Sequence, residues 1–146
     1  MNIDKLRKQL ELDEGVKYEI YLDHLGYPTM GIGHLILQTD EEFGKKVGTR
    51  VSKERVEDAF AHDVKSVVAD CNKLYSDFET LPEEVQLIIS NMMFNLGLTR
   101  LSKFRGMKDA VDDGDWALAA DEMVDSNWYR QVTSRAERLV QYMRGV

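Results

Sequence analysis

The sequence predicts an α+β protein that has a small N-terminal antiparallel sheet lobe, a long helix after it and an all-helical C-terminal lobe. Two patterns lead to this fold class. Short runs of alternating apolar and polar residues are confined to residues 17–36, and the chain after residue 52 carries apolar residues at helical spacing. A length of 146 residues is typical of one domain with a proper core. We therefore expect a single domain over residues 1–146, with the sheet lobe at about 15–51, the connecting helix at about 52–73, and the helical lobe at about 74–146 together with an N-terminal helix at 3–13.

The first elements follow from spacing and from glycine and proline positions. Apolar residues recur every three or four positions from Ile3, and Gly15 suits the position just after a helix end, so Glu14 is expected at the helix exit. Three short strands are predicted at about 17–22, 27–30 and 33–36. Because Pro28 lacks an amide hydrogen, we expect its strand at an edge of the sheet.

The rest of the chain is predicted to be helical, apart from connecting loops. Residues 38–50 are expected to form a short helix and loops, and Ser52 is expected to cap the long amphipathic helix. Pro82 and two following acids begin a helix that is apolar almost all round, which predicts a central buried helix ending at Gly97. Shorter helices are predicted at about 99–112, 115–124 and 133–143.

The composition excludes several classes of protein. The chain has 19 Lys and Arg against 26 Asp and Glu, a net charge of −7, which disfavours general binding of nucleic acid. One cysteine, Cys71, cannot form an internal disulfide or a zinc finger. Since no apolar run reaches the ~18–20 residues of a membrane span and residues 1–5 are not an apolar signal segment, we expect a protein made in the cytoplasm with no membrane association.

Residues 13–34 contain the strongest candidates for catalysis. The predicted hairpin brings Asp23 and Thr29 together at its mouth, and the preceding helix can present Glu14 across from them. Two carboxyl groups on opposite sides of a gap are what glycoside cleavage needs, one as proton donor and one to activate water. Each residue also has a purely structural interpretation, as a solvated glutamate, a turn aspartate and a strand threonine. A dinucleotide motif is discarded because the pattern at 31–33 lacks a third glycine.

The same region resembles the catalytic segment of phage-type lysozymes, a family of glycoside hydrolases. The resemblance rests on LDEG at 12–15, IYLD at 20–23 and GYPTMGIGHL at 26–35, with the family's spacing between glutamate, aspartate and threonine. It continues in FAHDV at 60–64, NMMFNLG at 91–97, SNWY at 126–129 and RAER at 135–138. It thus covers nearly the whole chain and implies a lysozyme-like fold of two lobes.

The resemblance implies roles for individual residues. Glu14 would be the general acid, and Asp23 with Thr29 would place and activate the attacking water, as in an inverting enzyme. Supporting roles would fall to the pair His34 and Asp63, to Arg135 beside the catalytic glutamate, and to the pair Asp13 and Arg138. Sugar-binding positions would be Leu35, Phe94 and Asn95, whereas Met107 and Glu122 depart from the serine and asparagine that a relative uses for substrate contacts. No cofactor and no metal are implied.

The implied activity is hydrolysis of the β-1,4 bond between N-acetylmuramic acid and N-acetylglucosamine in bacterial peptidoglycan. The expected setting is lysis of the host at the end of a phage cycle, by a monomer that stays in the host cytoplasm until a holin gives it access to the wall. Three alternatives remain open: a tail-associated lysozyme that acts during entry, a lytic transglycosylase, and a wall-binding module without activity.

Overall fold

The structure is a computed structural model that describes residues 1–146 and combines a small antiparallel sheet with seven α-helices, so the predicted α+β class is confirmed. The elements in chain order are α1 (Ile3–Glu14), β1 (Lys17–Leu22), β2 (Pro28–Gly31), β3 (His34–Leu35), α2 (Lys53–Leu74), a 3-10 helix (Phe78–Thr80), α3 (Glu83–Leu101), α4 (Arg105–Asp112), α5 (Trp116–Val124), α6 (Asn127–Gln131) and α7 (Thr133–Arg144).

The chain divides into two compact units. The sheet unit comprises Arg7–Ser66, and the helical unit comprises Met1–Leu6 with Val67–Val146. The division falls inside α1 and inside α2. As predicted, Ser52 caps α2: its side-chain oxygen accepts a hydrogen bond from the backbone N–H of Arg55 at 3.1 Å.

The sheet has the strand order β1-β2-β3, with both neighbouring pairs antiparallel. The predicted edge position of Pro28 is therefore wrong, because β2 is the middle strand. Proline is tolerated there since it is the first residue of the strand, and its carbonyl oxygen still accepts a hydrogen bond from the N–H of Ile36 at 3.0 Å. Thr29 lies directly opposite Tyr21 on one side and Leu35 on the other, so these three residues share one face of the sheet.

The short helix predicted within residues 38–50 is absent, and this segment consists of turns. Gly44 and Gly48 have φ angles of +82° and +92°, which a right-handed helix cannot contain. Two acids of this segment, Asp40 and Glu42, are turned toward Arg55 of α2, at 3.1 and 2.9 Å.

The helical unit is built around α3, which confirms the predicted central buried helix. Ile88, Ile89 and Met92 are at most 1% exposed and belong to a core to which helices α4, α5 and α7 also contribute. Gly97 interrupts the helical backbone with φ 79° and ψ 166°, although α3 continues to Leu101. The predicted helix at 99–112 is therefore the end of α3 followed by α4, and α6 was not predicted. No helix is both long enough and apolar enough to cross a bilayer.

Candidate active site

Glu14 is the last residue of α1, and Gly15 after it has a φ of +74°, the left-handed conformation that ends a helix. The half-buried Glu14 side chain lies against Gly33, in the turn between β2 and β3. A Cβ atom added at Gly33 would lie 2.7 Å from Oε2 of Glu14 and 2.9 Å from its Cβ. The end of α1 and the β2–β3 turn therefore meet at this carboxyl group.

Asp23 follows β1 and organises the turn to β2. Its Oδ1 accepts hydrogen bonds from the backbone N–H groups of Leu25 and Tyr27, both at 2.9 Å. This is the local bonding that makes aspartate a common turn residue. The other carboxylate oxygen, Oδ2, makes no hydrogen bond within the protein, so the turn fixes the direction of the carboxylate and leaves one oxygen for a ligand or water.

The main chain of Tyr27 links Asp23 to Thr29. Its carbonyl oxygen accepts the backbone N–H of Asp23 at 2.9 Å and the hydroxyl of Thr29 at 2.8 Å, while its N–H donates to Asp23 Oδ1. Thr29 is 4% exposed. Because its hydroxyl hydrogen is engaged, the oxygen faces any further partner as an acceptor. The structure thus brings Asp23 and Thr29 together through one peptide segment.

Tyr21 lies beside these residues and was missed in the sequence. It is opposite Thr29 in the sheet, and the ammonium of Lys17 lies 4.3 Å from the centre of its ring. Burial raises the pKa of the Tyr21 hydroxyl, and the carboxylates of Glu14 and Asp23 raise it further. Both acids therefore act electrostatically on the same side chain. In a hairpin with a five-residue turn, the strand register places Tyr21 opposite Thr29, and this signal could have identified Tyr21 from the sequence.

His34 is buried, with 6% of its surface exposed, and both ring nitrogens face carboxylates. Nδ1 lies 2.6 Å from Asp63 and Nε2 lies 2.8 Å from Asp40. Burial lowers the pKa of His34, but the hydrogen bonds to the two carboxylates outweigh it and the pKa is raised. The structure contains the pair of His34 and Asp63, and adds Asp40, which the sequence did not reveal.

In the helical unit, two of the predicted residues have identified side-chain hydrogen bonds. Asn95 Oδ1 accepts a hydrogen bond from the indole N–H of Trp128 at 2.8 Å. Arg135 is 8% exposed and donates from Nε to the side-chain oxygen of Asn91 at 2.8 Å. Phe94 is half-buried against the core of this unit.

In the sheet unit, Leu35 is 47% exposed beside Thr29. Sugar binding by Leu35, Phe94 and Asn95 stays a prediction, as do the pairs of Arg135 with Glu14 and of Asp13 with Arg138.

A hollow of about 430 Å³ opens in the surface of the helical unit. Met107 lies at this hollow but is 1% exposed and belongs to the core. Glu122 lies against Gly106 of α4, and its carboxylate occupies the space that a Cβ atom at residue 106 would need. The surface around them is mixed in charge and includes Arg100, Lys103, Arg105 and Asp125.

Comparison with known proteins identifies the family of the chain. A family model described as phage lysozyme matches residues 11–142, which contain Glu14, Asp23 and Thr29. The chain belongs to the phage lysozyme family. Membership makes it a lysozyme-type glycoside hydrolase that acts on the cell wall.

Three similar proteins are consistent with this family. Probable T4-type lysozyme 1 of Dictyostelium discoideum is 30% identical over 158 residues, which cover 94% of this chain and 92% of that protein. Probable T4-type lysozyme 2 of the same organism is 28% identical over 158 residues, which also cover 94% of this chain and 92% of that protein. The pre-baseplate central spike protein Gp5 of Enterobacteria phage T4 is 30% identical over 152 residues and 92% of this chain, but the chain spans only 26% of that protein.

Proposed function

We propose that this lysozyme hydrolyses the β-1,4 bond between N-acetylmuramic acid and N-acetylglucosamine of bacterial peptidoglycan. Glu14 is the general acid, and Asp23 and Thr29 hold the attacking water. The observation that carries the proposal is the hydrogen bonding of Tyr27, whose main chain binds both the Asp23 carboxylate and the Thr29 hydroxyl. No cofactor or metal takes part in this mechanism.

The reaction needs one proton donor and one activated water. Glu14 gives its proton to the glycosidic oxygen as the bond from that oxygen to C1 of N-acetylmuramic acid breaks. A water donates one hydrogen bond to Thr29 Oγ1 and the other to Asp23 Oδ2, so its lone pair is directed at C1. The water oxygen bonds to C1, and its proton passes to Asp23. The products are a new reducing end and a new 4-hydroxyl group.

Support for this assignment comes from the orientation of the hydrogen bonds. Thr29 can only accept from a water while its own hydrogen is held by Tyr27, and Asp23 keeps an oxygen outside its turn. A water between them has both hydrogens engaged, which leaves its lone pairs for the sugar carbon. Tyr21 lies opposite Thr29 in the sheet, and the carboxylates of Glu14 and Asp23 both raise the pKa of its hydroxyl.

Mass spectrometry of digested peptidoglycan tests the reaction. The proposal predicts fragments that end in reducing N-acetylmuramic acid, and their loss with Glu14→Gln, which keeps the size of the side chain and removes the acid. Fragments that end in 1,6-anhydro sugars would indicate a lytic transglycosylase instead. Equal clearing of permeabilised cells by both proteins would indicate that Glu14 is not the acid, and no clearing by either would favour a wall-binding module.

The proposed setting is lysis of a bacterial host, by a protein that remains in the cytoplasm until a holin opens the membrane. The match to the central spike protein Gp5 favours a second setting, in which the same activity belongs to a phage particle. Mass spectrometry of purified particles and of the soluble fraction of an infected culture distinguishes the two, because a lysis enzyme is abundant only in the soluble fraction. Size-exclusion chromatography of the soluble fraction measures the molecular mass of the protein and so tests the expected monomer.

A further inference from the structure

The backbone of Gly33 occupies the space next to the Glu14 side chain. An added Cβ atom at residue 33 would lie 2.7 Å from Oε2, 2.9 Å from Cδ and 2.9 Å from Cβ of Glu14. Distances under 3 Å between such atoms are well inside van der Waals contact. A residue with a side chain therefore cannot stand at position 33 while Glu14 stays where it is.

The contact with the Cβ atom of Glu14 decides what has to move. The carboxyl end of a glutamate can rotate away from an intruding methyl group, but its Cβ is attached directly to the α1 backbone. Glu14 is the last residue of that helix, followed by a glycine with a φ of +74°. A methyl group at residue 33 would therefore displace the end of α1 relative to the β2–β3 turn, together with the carboxyl group.

We propose that Gly33 is a positioning residue for the reaction: the absence of a side chain at residue 33 sets the place of the Glu14 carboxyl group relative to the strand that carries Thr29. This inference rests on the proposed role of Glu14 as the acid. Asp23 and Thr29 are held by Tyr27, within β2 and the turn before it. Gly33 has the corresponding role for Glu14, since it determines how closely the end of α1 approaches the same strands.

Kinetics of Gly33→Ala test the effect on catalysis. Displacement of a catalytic group by about 1 Å can cost on the order of 100-fold in rate, and we expect a kcat loss of that order with KM little changed. Gly44→Ala is the matched control. Gly33 has a φ of +60° and Gly44 one of +82°, but a Cβ atom at Gly44 meets nothing within 4 Å. Gly44→Ala should carry similar backbone strain and keep the kcat of the parent. A kcat for Gly33→Ala equal to that of Gly44→Ala would overturn the proposal.

A second measurement does not depend on activity. The loss of Tm caused by Gly33→Ala is measured in the parent and in Glu14→Gly, which removes the Cβ, Cδ and Oε2 contacts together. We expect a smaller loss of Tm in the Glu14→Gly background, while Gly44→Ala lowers Tm equally in both. Equal losses for Gly33→Ala would show that the two residues do not contact each other. If Glu14→Gln keeps full activity while this coupling is present, the proposed acid is wrong and the contact stands.

Discussion

Thr29 donates its hydroxyl hydrogen to the carbonyl oxygen of Tyr27, so the lone pairs of its oxygen are what remain for a water molecule. The same carbonyl also accepts the N–H of Asp23. The proposed site therefore depends on the backbone of Tyr27, a residue that is 55% exposed. Sequence patterns find reactive side chains more readily than they find a backbone atom that orients them. Neither Tyr27 nor Gly33 was predicted as part of the site for this reason.

Substitutions at Thr29 separate water placement from substrate binding. Thr29→Val keeps the shape of the side chain but removes the acceptor, and we expect kcat to fall by about 100-fold with KM nearly unchanged. Thr29→Ser keeps the hydroxyl and should retain most of the activity. Steady-state kinetics on a soluble peptidoglycan fragment measure both constants. A rise in KM alone for Thr29→Val would mean that Thr29 binds sugar and does not place water.

At the scale of elements, buried charges tie β3 and the segment before α2 to the sheet-unit part of α2. His34 contacts Asp63 of α2 and Asp40, and Arg55 of α2 contacts Asp40 and Glu42. Glu42 is 5% exposed, so its charge needs the guanidinium beside it. These contacts explain why residues 38–50 form turns.

The predicted helix in residues 38–50 failed because local sequence does not show such distant partners. Asp40 and Glu42 bind the guanidinium of Arg55, which is 15 and 13 residues later in the chain. In contrast, α1, β1 and α3 were predicted within a few residues because capping residues and apolar periodicity are local signals. The roles of Glu14, Asp23 and Thr29 came from resemblance, since spacing alone left their structural interpretations open.

The ion pairs of His34 make stability depend on pH. The pKa of His34 is raised in the folded protein. Its contribution to the free energy of unfolding is therefore fully present below the ordinary histidine pKa of about 6.5 and is lost as pH rises through the pKa of the folded state. For Asp40, burial raises the pKa, but the N–H of Leu37 and the charge of His34 outweigh it and lower the pKa. The contribution of Asp40 to the free energy of unfolding is therefore lost as pH falls from the ordinary aspartate pKa of about 3.9 through the lower pKa of the folded state.

Urea unfolding of the parent and of His34→Gln tests this account. We expect the variant to be less stable by about 3 kcal/mol between pH 5 and 6, below the ordinary pKa of histidine, where the His34 ring bears its charge. The difference should shrink steadily as pH rises through the raised pKa. A difference that stays constant up to pH 9 would mean that packing of the ring, and not its charge, stabilises the sheet unit.

At the scale of the whole molecule, the net charge of −7 determines how the protein meets an anionic wall. Like charges repel over about 10 Å at 0.1 M salt and over about 30 Å at 0.01 M. We therefore expect the rate on purified anionic wall preparations to rise between these two salt concentrations, since screening weakens the repulsion. An uncharged soluble substrate is the control and should show no such rise. A rate on walls that falls with salt would indicate that a local basic surface dominates association.

The anomeric configuration of the fresh product shows whether a water held by Asp23 and Thr29 attacks the sugar. If Glu14 protonates the leaving oxygen while Asp23 and Thr29 hold water on the opposite face of the sugar, the β bond must give the α anomer in a single displacement. Proton NMR during the first minutes of digestion, before mutarotation, should therefore show the α-anomeric signal first, and Glu14→Gln should give none. A first product in the β configuration would contradict the account, because it requires a covalent intermediate and no water held by Asp23 and Thr29.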